Sequence, residues 1–159
     1  MQCIKLARAG IILLVVGVLF AFVWWYSTGY VFLAWYWSNQ ISALTFATLM
    51  VAPPIALSIA GLSSYVAGRN AFWKSPQRRK GSLTLLGLAL MIVGGFFTAW
   101  TWAFSVYGAN KLQPPYAKPL TYYLVNNSPY FILFALWFAA GLLVLADAVE
   151  AHWQKPIQH

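Results

Sequence analysis

Three long gaps between charged residues constrain this chain more than any motif does. No Asp, Glu, Lys or Arg occurs between Arg8 and Arg69, between Lys80 and Lys111, or between Lys118 and Asp147. A hydrocarbon core about 30 Å thick is crossed by roughly 20 apolar residues in a helix. The first gap holds two such spans and a turn, and each of the others holds one. The spacing therefore predicts an all-α integral membrane protein, with residues 1–159 forming a single membrane domain, a bundle of four transmembrane helices. Composition agrees: 62% of the residues are hydrophobic and 8% are charged, against about 25% charged in a soluble domain.

The basic head Met1–Arg8 and the apolar run after it resemble the opening of a signal peptide. No convincing A-x-A site follows, and the run continues through Trp24, Trp25 and Tyr26. It is read as a retained first helix, about Gly10–Tyr30. The uncharged aromatic segment Tyr30–Gln40 either prolongs that helix or lies in the interface. Further helices are expected over about Ile41–Tyr65, Leu83–Val106 and Pro129–Glu150, with Pro129 suited to a first helical turn. Between them lie a basic loop, Gly68–Ser82, and a polar, proline-rich loop, Tyr107–Ser128.

Lys and Arg set the orientation. One side receives Lys5, Arg8, Arg69, Lys74, Arg78, Arg79, Lys80 and Lys155, and the other only Lys111 and Lys118. A bias of eight to two places both termini in the cytoplasm, in a plasma (inner) membrane. Tryptophans and tyrosines crowd the opposite boundary: Trp24, Trp25, Trp35, Trp37, Trp100 and Trp102, followed by Tyr107, Tyr122, Tyr123 and Tyr130. Such rings prefer the headgroup level, and the cluster could also form a stacking or quinone-ring pocket. The net charge of +8 belongs to topology and anionic lipid, not to nucleic acid. Arg69, Lys74, Arg78, Arg79 and Lys80 are the residues that determine topology or hold lipid headgroups.

Helix two carries two signals. Pro53 and Pro54 remove two backbone donors, which frees the carbonyls near Leu49 and Met50 and predicts a kink. In lipid those carbonyls need partners, from a neighbouring helix or from a water-filled break. Thr48, Ala52, Ala56, Ala60, Ser64 and Gly68 follow one another every four residues, so they form one slowly turning stripe. Small residues let backbones approach in lipid, which makes the stripe a packing face for the bundle itself or for a partner. Gly95, Ala99 and Ala103 are a shorter version on helix three.

Asp147 and Glu150 are the only acidic residues. They share roughly one face near the end of helix four, where the macrodipole disfavours them. A salt bridge to Arg69, Lys74 or the Arg78–Lys80 cluster is the expected compensation. Trp137 sits inside a span, where its indole N–H needs an acceptor from another helix. Asn126–Asn127–Ser128 fits the glycosylation pattern but abuts helix four, so no glycan is expected.

Absences narrow the chemistry. Both histidines, His152 and His159, lie in the tail, and Cys3 is alone. Intramembrane haem ligands, thiol pairs and Cys-rich metal sites are therefore missing. No ionisable residue lies in the middle of a span, where proton-coupled carriers place theirs. The expectation is a protein that is not an enzyme and has no cofactor or metal. Its partners would be membrane lipid and other transmembrane subunits, or further copies of itself. An accessory or assembly subunit of a larger membrane complex is the leading reading. A small oligomeric channel or transporter, and an immunity or exclusion protein, are the alternatives.

Overall fold

A computed structural model describes residues 2–74, 80–112 and 117–153, with the side chains of Lys80, His152 and Trp153 outside the description. Among the described residues the chain forms α1 (Gln2–Trp37), α2 (Ala43–Lys74), α3 (Lys80–Lys111) and α4 (Leu120–Trp153). All four are long and apolar enough to cross a membrane. Their 32 to 36 residues correspond to roughly 50 Å of helix at 1.5 Å per residue. That exceeds the hydrocarbon thickness, so each helix extends beyond its apolar core.

The helix ends therefore differ from those expected from hydropathy. Tyr30–Trp37 prolongs α1, most of the expected basic loop is helical, and the expected outer loop shrinks to the stretch between Lys111 and Leu120. The reason is local chemistry: aromatic and amide residues end an apolar run without ending a helix. α1 stops where Asn39 adopts a left-handed conformation, φ 56°, a position that Asn tolerates at helix C-termini. The Gln40 N–H then donates to the Trp35 carbonyl at 2.9 Å. Ser42 opens α2 by accepting the Thr45 N–H at 3.1 Å, as an N-cap hydroxyl does.

Pro129 departs furthest from expectation. It lies well inside α4 and not at its first turn. A proline there leaves the carbonyl four residues back without its donor. The Ser128 hydroxyl donates to that carbonyl, Val125 O, at 2.7 Å, which is how the helix passes through.

The helices pack as two antiparallel hairpins, α1 with α2 and α3 with α4, joined through α2 and α4. α1 and α3 lack comparable packing; a shallow apolar cleft of about 130 Å³ remains between Val18 and Leu90. Gln2 of α1 and Trp153 of α4 lie at one end with Lys74 and Lys80, here the terminal end. The α1–α2 and α3–α4 connections lie at the other, here the turn end.

Each hairpin closes on small residues. A Cβ at Gly61 would lie 2.8 Å from the Leu14 N atom, and one at Gly87 2.8 Å from the Leu145 N atom. On α2, besides Met50, the buried positions are Ala47, Val51, Pro54, Ser58, Gly61, Tyr65, Gly68 and Phe72. They alternate in steps of four and three, the spacing of a coiled-coil seam. The core between the hairpins is aromatic and aliphatic, built on Met50, Val51, Leu133, Phe134 and Trp137.

Candidate functional site

The double proline organises the middle of the bundle. Pro53 and Pro54 leave the carbonyls of Leu49 and Met50 without helical donors. The Trp24 indole Nε1 donates to Leu49 O at 3.1 Å, and the Trp25 Nε1 to Met50 O at 2.9 Å. Both orphans are thus satisfied by consecutive indoles of α1, and α2 stays helical through both prolines. Trp137 finds its acceptor on the same helix. Its Nε1 donates at 2.9 Å to Ser58 Oγ, whose own hydroxyl donates at 2.7 Å to Pro54 O. Trp137 and Ser58 are both buried, so this chain ties α4 to α2 away from solvent.

Toward the turn end the two hairpins separate around a partly open cavity of about 620 Å³. One wall carries Trp25 and Tyr36 from α1 with Phe46 and Met50 from α2. The facing wall carries Phe97 and Trp100 from α3 with Tyr130 and Phe134 from α4. Phe97 and Phe134 are stacked, with centroids 5.2 Å apart, and the Trp25 ring meets Phe134 edge-on at 6.2 Å. Such ring contacts hold the floor of the cavity in a defined shape.

Polar groups enter this cavity from α3 and α4. Thr101, Asn126 and Asn127 line it. The Asn127 amide donates to Ser105 Oγ at 2.9 Å, and the Asn126 amide to Tyr122 O at 2.8 Å. Thr101 donates to Phe97 O at 2.8 Å. Among the described residues none that lines the cavity is charged.

A second polar cluster lies at the terminal end. Tyr65, fully buried, donates to Asp147 Oδ2 at 2.8 Å, and the Trp73 indole donates to the Tyr65 hydroxyl at 2.9 Å. Arg69 Nη1 stands 3.6 Å from Asp147 Oδ1. Both carboxylate oxygens of Asp147 are therefore engaged from α2, so the Asp147 bridge goes to Arg69. Opposite charge and a phenol donor offset the unfavourable macrodipole.

The other anticipated residues fall apart from these sites. Thr48, Ala52, Ala56 and Ala60 are exposed, Ser64 is half-buried, and only Gly68 is buried, against Cys3 and Ala7. The intramolecular contact of α2 uses the neighbouring seam instead, which leaves this stripe facing outward. Ala99 and Ala103 are likewise exposed, while Gly95 meets the Phe138 ring. Lys74 and Glu150 are exposed, and Arg78 and Arg79 lie outside the described residues. The sequence alone did not single out Thr101, Asn126 and Asn127 as polar groups of the cavity wall. The available signal was uncharged polar residues spaced through otherwise apolar helices. Compared with protein-family models, curated proteins and solved structures, the chain matches none.

Proposed function

We propose that this is a non-catalytic membrane interaction protein, an accessory or assembly subunit of a larger membrane complex. The supporting observation is the outward face of α2, where Thr48, Ala52, Ala56 and Ala60 stay exposed after the bundle has closed on a different seam. A face of small residues lets a second transmembrane helix approach closely in lipid. In this reading the protein sits in the plasma (inner) membrane with both termini in the cytoplasm, as the Lys and Arg bias favours. The double proline bends α2, and anionic headgroups meet Arg69, Lys74 and the Arg78–Lys80 cluster.

A solute pathway lined by the proline break has less support, because the carbonyls it would expose are held by Trp24 and Trp25. The test is purification of the tagged full chain in mild detergent, with Ala56→Leu and Ala60→Leu beside the parent. Defined membrane subunits in near-stoichiometric amount, reduced in both variants, are the expected result. A parent that purifies with no other subunit, or a complex indifferent to both substitutions, overturns the reading.

A further inference from the structure

We infer that the cavity at the turn end binds an uncharged, lipid-soluble ring compound with hydrogen-bonding oxygens, the chemistry of a quinone or quinol head. The inference rests on the cavity alone and stands whether or not the protein is a subunit of a complex.

Size and lining set the first limits. A volume of about 620 Å³ falls within the roughly 300–1,000 Å³ of sites that enclose small organic ligands. None of the described residues that line it is charged, so an ion would lose its hydration there without compensation. The occupant is therefore neutral.

Shape and chemistry separate a ring from a plain acyl chain. Rings stand on both walls: Trp25 and Phe46 face the cavity from one hairpin, Phe97 and Phe134 from the other. Flat aromatic walls favour a flat occupant, through offset or edge-on contacts. A saturated chain needs no polar partner, yet Thr101, Asn126 and Asn127 all reach this surface. Their orientations are fixed by the bonds to Phe97 O, Tyr122 O and Ser105 Oγ. Each amide donates one of its two N–H groups in those bonds and also carries a carbonyl acceptor. The wall thus offers both donors and acceptors in set directions, which suits ring carbonyls or hydroxyls. The lining residues all stand on helices long and apolar enough to cross a membrane, which suits a lipid-soluble occupant.

The experiment titrates a decyl-tailed benzoquinone into the purified full chain in detergent micelles and follows quenching of tryptophan emission. Trp25 and Trp100 line the cavity and report on contact. Brominated-acyl phosphatidylcholine, which quenches through its chain alone, is the competing probe. Saturable quenching by the quinone is expected. Asn126→Leu and Asn127→Leu, which each remove an amide N–H not used within the wall, should each weaken it about tenfold, the equivalent of one hydrogen bond in a partly dry site. Ala43→Phe, which fills the cavity, should abolish it, while all three variants keep parental helicity and elution volume. Absence of saturable quinone quenching in the parent overturns the inference. So does quinone binding that all three substitutions leave unchanged. Displacement of the quinone by the brominated lipid at equal concentration also overturns it, and makes the cavity a cleft for acyl chains.

Discussion

The Trp25 indole donates to the Met50 carbonyl at 2.9 Å, the acceptor that Pro54 cannot serve. One residue earlier, Trp24 does the same for Leu49, the acceptor that Pro53 leaves empty. A proline pair and a tryptophan pair, on antiparallel neighbours, are therefore chemically complementary. An orphan carbonyl in hydrocarbon costs several kcal/mol, so the indoles allow the prolines to sit mid-helix.

This complementarity predicts coupling between the two pairs. Trp25→Phe keeps the ring and removes the donor, so it should destabilise the protein by about 1–3 kcal/mol. In a Pro54→Ala background the backbone N–H returns to Met50 O, and the same substitution should cost markedly less. Denaturation of the four proteins in detergent, read as a double-mutant cycle, measures the difference. An equal cost in both backgrounds would show that the indole packs without serving the carbonyl.

The Trp137–Ser58 bond predicts an asymmetric pair of defects. Trp137→Phe removes the donor and leaves Ser58 still bonded to Pro54 O. Ser58→Ala leaves a buried indole N–H without an acceptor and should cost about 1–3 kcal/mol. It should therefore be the more damaging of the two, although it removes fewer atoms. Urea or thermal midpoints in one detergent decide the order, and a larger loss in Trp137→Phe contradicts the assignment.

The need for partners at Leu49, Met50 and Trp137 was legible in the sequence, because proline geometry and indole chemistry are local rules. Pairing of Asp147 was legible as well, since the chain has two acidic residues and most of its basic residues crowd the same end of the bundle. The second Asp147 partner was not: Tyr65, itself accepting from Trp73, reaches the carboxylate only once α2 and α4 are parallel neighbours. Helix ends were obscured by stretches such as Tyr30–Trp37, whose aromatic rings suit the headgroup level while the backbone stays helical. The packed face of α2 was obscured for a different reason. In a chain bound for lipid, apolar residues face both ways, so the stripe Thr48–Ala60 and the seam Ala47–Gly68 look equally suitable. Only the alternation of three and four distinguishes the seam.

That seam makes a prediction about glycine. Gly61→Ala would place a Cβ 2.8 Å from the Leu14 backbone nitrogen, so α1 and α2 must separate. Overpacking of this kind costs about 1–3 kcal/mol or more. Gly81→Ala meets nothing within 4 Å and gains helix propensity, so it should be neutral or stabilising by up to about 1 kcal/mol. Comparable losses in the two variants, measured by thermal unfolding, would argue against the hairpin packing.

The cluster at the terminal end predicts which charge can be removed safely. Asp147 is 12% exposed in its side chain and Arg69 is 37% exposed, so the carboxylate depends on its partner more than the guanidinium does. Arg69→Gln leaves Asp147 charged with the Tyr65 hydroxyl still donating to it. Tyr65→Phe with Arg69→Gln removes both partners, and the mostly buried carboxylate should then destabilise the bundle by about 3 kcal/mol or more. Adding Asp147→Asn to that double variant should recover part of the loss, because the amide carries no charge to desolvate. Thermal midpoints of the single, double and triple variants test the order. A triple variant less stable than the double would show that Asp147 is held by something other than these two donors.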